Sequence, residues 1–210
     1  MVEAVYDILL CRRVLNHPIQ DLTAAVRPDR AIAAMPPQPT RMTMPIDEVR
    51  DASAWTPEQV AADRSWEFTL TKGQQAELVA AQRQVEEAGL PNARTGAADF
   101  PLPSLRDTLD RVVHELCHGR GFAVLHGVPT AGFELPQLER IYWGLCTHMG
   151  RGVTQNSDTG LIHYVTDGRL RPRQGTRGVG APGPVELHVD LGDTVALYCV
   201  QQAPDDPPQI

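Results

Sequence analysis

The chain has almost no lysine. Lys72 stands alone against eighteen arginines, and the acidic residues outnumber both, for a formal net charge of −7 over 210 residues. An anionic surface of this kind excludes nucleic acid and anionic membranes as the main partners, because both are recognised by an excess of positive charge. Long apolar runs are also missing. Nothing reaches the roughly 18 residues that a membrane-spanning helix needs. The N-terminus, MVEAVYDILLCRRVLNHP, places Glu3 and Asp7 in its short apolar stretch and Arg12 and Arg13 after it. That order is the reverse of a secretory signal. Cysteine is sparse. Cys11, Cys117, Cys146 and Cys199 are widely spaced and form no C-x-x-C pair, which predicts reduced thiols in a cytoplasmic protein. No internal repeat is present.

The remainder is ordinary globular material, 42% hydrophobic and 21% charged, enough to bury a core without staples. Residues 1–50 differ from the rest. The stretch Ala34-Met-Pro-Pro-Gln-Pro-Thr-Arg-Met-Thr-Met-Pro45 has no sustained period, so this region is expected to be a disordered leader with at most a short helix near residues 4–14. Residues 51–203 read as the folded domain and 204–210 as a polar tail. Thr56-Pro57-Glu58 starts a helix. Ser65 to Thr71 alternates like an extended piece, and residues 72–88 form a helix stopped by Gly89 and Pro91. Ser104-Leu-Arg-Asp107 reads as a capping box before apolar positions at Leu105, Leu109, Val112, Val113 and Leu116. Phe122 to Leu125 reads as a buried strand, and Leu135 to Thr147 as a helix. Strand-like runs follow at 161–166, 184–190 and 194–201. Helices first and strands afterwards indicate an α+β fold, helices packed on an antiparallel sheet or barrel.

Two motifs could hold a metal. His114-Glu-Leu-Cys-His118 fits H-E-x-x-H, in which two imidazoles one helical turn apart bind zinc and Glu115 acts as the base of a protease. On a helical wheel, however, His114 and His118 fall nearly opposite the apolar arc, which predicts solvent-facing side chains. The second motif is His188-Val-Asp190. Residues two apart on a strand share a face. His188 and Asp190 would present an imidazole and a carboxylate together, with Leu187, Val189 and Leu191 anchoring the other face. Two His and one carboxylate on one face is the ligand set of non-haem iron(II) oxygenases.

Asp99-Phe-Pro-Leu-Pro103, Gly119-Arg-Gly-Phe-Ala-Val-Leu-His-Gly-Val-Pro129, Tyr142-Trp-Gly144, His148-Met-Gly150, Thr154-Gln-Asn156 and Leu187-His-Val-Asp-Leu-Gly-Asp-Thr-Val-Ala-Leu-Tyr-Cys199 follow one another in this order. In these segments the chain resembles the taurine dioxygenase (TauD/TfdA-like) family of iron(II)- and 2-oxoglutarate-dependent oxygenases, from about Trp55 to Ala203. The resemblance implies a double-stranded β-helix (jelly roll) with flanking N-terminal helices. It also implies Fe(II) held by His188 and Asp190, 2-oxoglutarate as cosubstrate, and a small-molecule substrate lined by Gln155 and Asn156. The implied reaction couples decarboxylation of 2-oxoglutarate to hydroxylation, or a related C–H oxidation.

The family's second metal histidine and its 2-oxoglutarate-binding arginine lie well downstream of H-x-D. The 20 residues after Asp190 contain neither His nor Arg. The expectation is therefore an incomplete jelly roll, the N-terminal part of such an oxygenase, inactive as an isolated chain and left with an exposed sheet edge. A non-catalytic binding subunit of the same fold is the alternative, and a zinc metalloprotease through His114, Glu115 and His118 is a second. Arg169, Arg171, Arg173 and Arg177 share one loop, read as solvated surface rather than as a lid on an anionic substrate.

Overall fold

The computed structural model describes residues 7–12, 50–153, 160–164 and 192–201. Among them the chain forms four strands and four α-helices. These are β1 (Asp7–Arg12), α1 (Pro57–Ala62), β2 (Glu67–Thr69), α2 (Lys72–Glu87), α3 (Arg106–His118), β3 (Phe122–His126), α4 (Leu135–Cys146) and β4 (Thr194–Tyr198). One mixed sheet has the order β2-β3-β1-β4. β2 runs parallel to β3, and β1 is antiparallel to both β3 and β4. The α+β expectation holds, with one parallel pair where antiparallel pairing was expected.

The largest departure from the sequence reading is β1. Residues 7–12 fall in the stretch expected to be a leader with at most a short helix. They form a central strand instead, with Ile8 opposite Leu125 on one side and Tyr198 on the other. The reason is non-local. Asp-Ile-Leu-Leu-Cys-Arg is too short for its apolar pattern to distinguish helix from strand, and two waiting strand edges decide the matter. Residues 13–49 and 202–210 lie outside the described residues, as do the runs at 165–166 and 184–190. Residues 161–164 are bent at Leu161 and Ile162 and form no strand.

The helices are where local chemistry places them. Thr56 and Thr71 each close a capping box, with Gln59 and Gln74, at the starts of α1 and α2. α3 is different. Its N-cap is Leu105, which makes no side-chain cap. The Ser104 hydroxyl instead donates to the Glu77 carboxylate of α2 at 2.7 Å, and the Ser104 N–H donates to the same group. A long-range partner has taken the expected cap. α3 ends at Gly119, and Gly121 sits at φ 84°, a conformation that favours glycine, just before β3.

One face of the sheet carries the core. Ile8, Phe68, Ala123 and Leu125 meet Leu78, Val85, Leu109, Val112, Leu116, Ile141 and Leu145 from the three long helices. The opposite face carries a smaller cluster of Val60, Trp66 and Phe122, joined by Trp55 edge-on to Phe122 at 5.1 Å. Phe100 is fully buried and packs its ring against α4 at Gly144. A Cβ at Gly144 would overlap the Phe100 ring. Gly144→Ala is therefore expected to destabilise by about 1–3 kcal/mol through overpacking, read as a lower urea midpoint at unchanged m-value. An unchanged midpoint would show that Phe100 can retreat.

Candidate functional site

The described residues include the strand that follows the metal motif in the chain. Only three residues, 191–193, separate Asp190 from β4. Two tyrosines fix β4 to the body. Tyr198 donates from its hydroxyl to the Pro129 carbonyl at 2.9 Å, and Tyr142 of α4 donates to the Ala196 carbonyl at 2.6 Å. Their rings stack at 5.8 Å with 15° between planes. Burial pushes both phenols above their ordinary pKa, with the nearby Cys146 adding to the shift at Tyr142. Both therefore act as neutral donors at any physiological pH, and they hold the strand that follows His188 and Asp190.

A second set of contacts fixes the chain leading to Gln155 and Asn156. The Trp143 indole N–H donates to the Thr95 carbonyl at 3.0 Å. The same ring packs so closely under Gly152 that a Cβ there would overlap it. His148 Nε2 lies 2.7 Å from the Phe100 carbonyl oxygen. Trp143 and His148 are thus structural in this arrangement, with one ring nitrogen of His148 engaged by the Phe100 carbonyl. His126 lies 3.5 Å from the Glu67 carboxylate across the β2–β3 pair.

Cys146 is half-buried beside Tyr142, and desolvation pushes its thiol up to about 12. Thiolate is the reactive form. At pH 8 a thiol raised this far is almost wholly protonated. Cys146 is therefore expected to resist iodoacetamide while the exposed Cys199 is modified, a contrast that peptide mass spectrometry reads directly. Equal labelling of the two would refute the raised thiol pKa of Cys146. No disulfide links Cys117, Cys146 and Cys199.

The four residues singled out for chemistry, His188, Asp190, Gln155 and Asn156, lie outside the described residues, as do the loop arginines. The H-E-x-x-H motif is described, and the structure separates its parts. His114 and His118 are exposed on α3. Glu115 is turned toward Arg120, accepting from its guanidinium at 2.9 Å and from its backbone N–H at 3.0 Å. Arg120 also pairs with Asp63 and donates to Ser65. Its hydrogen bond to Glu115, followed by that to Asp63, raises its pKa further. A carboxylate held this way is not placed to act as a base over a metal at the two imidazoles. No group of three metal-ligating side chains gathers among the described residues. The Arg120 hub was not legible in the sequence, since it joins α3 to the loop after α1 across 57 positions.

Comparison with known proteins sets these observations in a family. Residues 86–206 match the model of the taurine catabolism dioxygenase TauD, TfdA family, and the chain belongs to that family. Among curated proteins it is similar to FR-33289 synthase of Streptomyces rubellomurinus, with 30% identity over 158 residues. The aligned part is 74% of this chain and 46% of that protein. The chain therefore spans less than half the length of the relative it matches. No helix among the described residues is long and apolar enough to cross a membrane.

Proposed function

We propose that this chain carries the N-terminal part of an Fe(II)/2-oxoglutarate-dependent dioxygenase with a jelly-roll fold, acting on C–H bonds of a small molecule. Membership of the TauD/TfdA family carries this reading. The donor set of the H-x-D motif fits the metal. One neutral imidazole and one carboxylate suit Fe(II), and they leave positions for a further ligand and cosubstrate.

His188 and Asp190 would hold the iron. Bound iron with 2-oxoglutarate supplies oxidation of an unactivated C–H bond, with decarboxylation to succinate. The roles of the chain are positional. Gln155 and Asn156 offer amide donors and acceptors to polar groups of the substrate. The Tyr142–Tyr198 pair anchors β4 directly after the metal motif. Trp143 under Gly152 fixes the entry to the segment bearing Gln155. Rigid support of this kind gives ligands their precision.

The experiment is an anaerobic Fe(II) titration of the chain by equilibrium dialysis, with and without 2-oxoglutarate. The expected result is about one equivalent, bound more tightly when 2-oxoglutarate is present. Absence of binding under both conditions would overturn the proposal and favour a binding subunit of the same fold.

A further inference from the structure

The exposed face of α3 holds a pair of imidazoles that the dioxygenase reading does not use. His114 and His118 lie one turn apart, and both are exposed. Their rings are neighbours, with centroids 5.3 Å apart and planes tilted at 53°. Leu109, Val112 and Leu116 bury the opposite side of the same helix, so the two imidazoles are fixed on a rigid element and remain open to solvent.

The spacing matches a chelate. A zinc ion sits about 2.0–2.1 Å from each imidazole nitrogen, which puts it about 3.2 Å from each ring centroid. At a tetrahedral angle two such rings have centroids about 5.2 Å apart. The observed 5.3 Å is close to that value, so side-chain rotation can bring one nitrogen of each ring to a shared ion. The position on the helix also favours a cation. His118 is the last residue of α3, where the unpaired carbonyls of the final turn concentrate negative potential. Asp110, exposed one turn before His114, adds negative charge to the same row.

We propose that His114 and His118 form a two-imidazole surface site for a borderline divalent cation, of the zinc, nickel and copper class, in addition to the iron site proposed at His188 and Asp190. Water fills the remaining coordination positions. The site binds metal without hydrolytic chemistry, because Glu115 is committed to Arg120. Two imidazoles without a carboxylate suit zinc, nickel and copper, and affinity at such a pair rises from iron to nickel and copper.

The test is a Ni(II) titration by calorimetry of the full chain in a His188→Ala background, so that the imidazole proposed for iron cannot take up nickel. One equivalent of binding is expected. His114→Asn and His118→Asn are each expected to weaken that event at least tenfold, since either removes the chelate. Both side chains are exposed, and the only partner of each among the described contacts is the other ring, so the variants should fold; unchanged far-ultraviolet dichroism checks this. A second readout needs no variant. Ni(II) should broaden the imidazole proton resonances of His114 and His118 before those of His126 and His148. Binding unchanged in both variants, or broadening centred on other histidines, would overturn the proposal.

Discussion

Replacing Ile8 by proline is expected to unfold the domain. β1 is an inner strand, bonded to β3 on one side and β4 on the other. Proline removes a ladder donor and is tolerated essentially only at sheet edges. The Ile8 side chain is also fully buried. The backbone effect alone amounts to about 3 kcal/mol or more, against a total stability of about 5–15 kcal/mol for a domain. Ile8→Ala separates the two contributions. It keeps the ladder and removes only the side chain, for an expected loss of about 2–5 kcal/mol. Urea denaturation followed by tryptophan fluorescence reads both, because Trp66 is buried against Phe122 on the same sheet. Deleting residues 1–12 should have the proline phenotype with added aggregation, since β3 and β4 would each expose an unpaired edge. Wild-type stability in Ile8→Pro would mean that another segment fills the centre of the sheet.

The contrast between β1 and the helices shows what the sequence could convey. Thr71 and Gln74 meet within a single turn, so the start of α2 is written locally. The apolar stripe of α3 is periodic, and it placed His114 and His118 on the solvent side, where they are found. Val113, counted with that stripe, is half-buried at its margin. By contrast, β1 is decided by partners more than a hundred residues away in β3 and β4. Ser104 had the right composition for a cap, but Glu77 on another helix captured it. The Glu115–Arg120–Asp63 group is hidden for the same reason, because its members come from separate elements. For the candidate site, H-x-D spacing supplies a face and a donor pair. Family membership gives that pair its meaning, since an isolated H-x-D is common on strands.

Replacing His188 by alanine is expected to weaken Fe(II) binding by at least about 100-fold. Loss of an outer partner of a metal ligand already lowers affinity about 10–100-fold, and a direct ligand contributes more. Asp190→Ala should match it. The double variant His188→Ala/Asp190→Ala should be scarcely worse than either single one, because removing one arm of a two-point chelate leaves the other too weak to retain the ion. That non-additivity is the signature of two ligands on one metal. Two independent sites would instead give effects that add. Asp190→Glu keeps the charge and moves the oxygens, so partial retention is expected. The measurement belongs in a His114→Asn/His118→Asn background, where imidazoles on α3 cannot report as iron ligands. Fe(II) affinity unaltered in both His188→Ala and Asp190→Ala would remove the H-x-D pair from the metal centre and the dioxygenase reading with it. Additive losses would place the two residues at different ions.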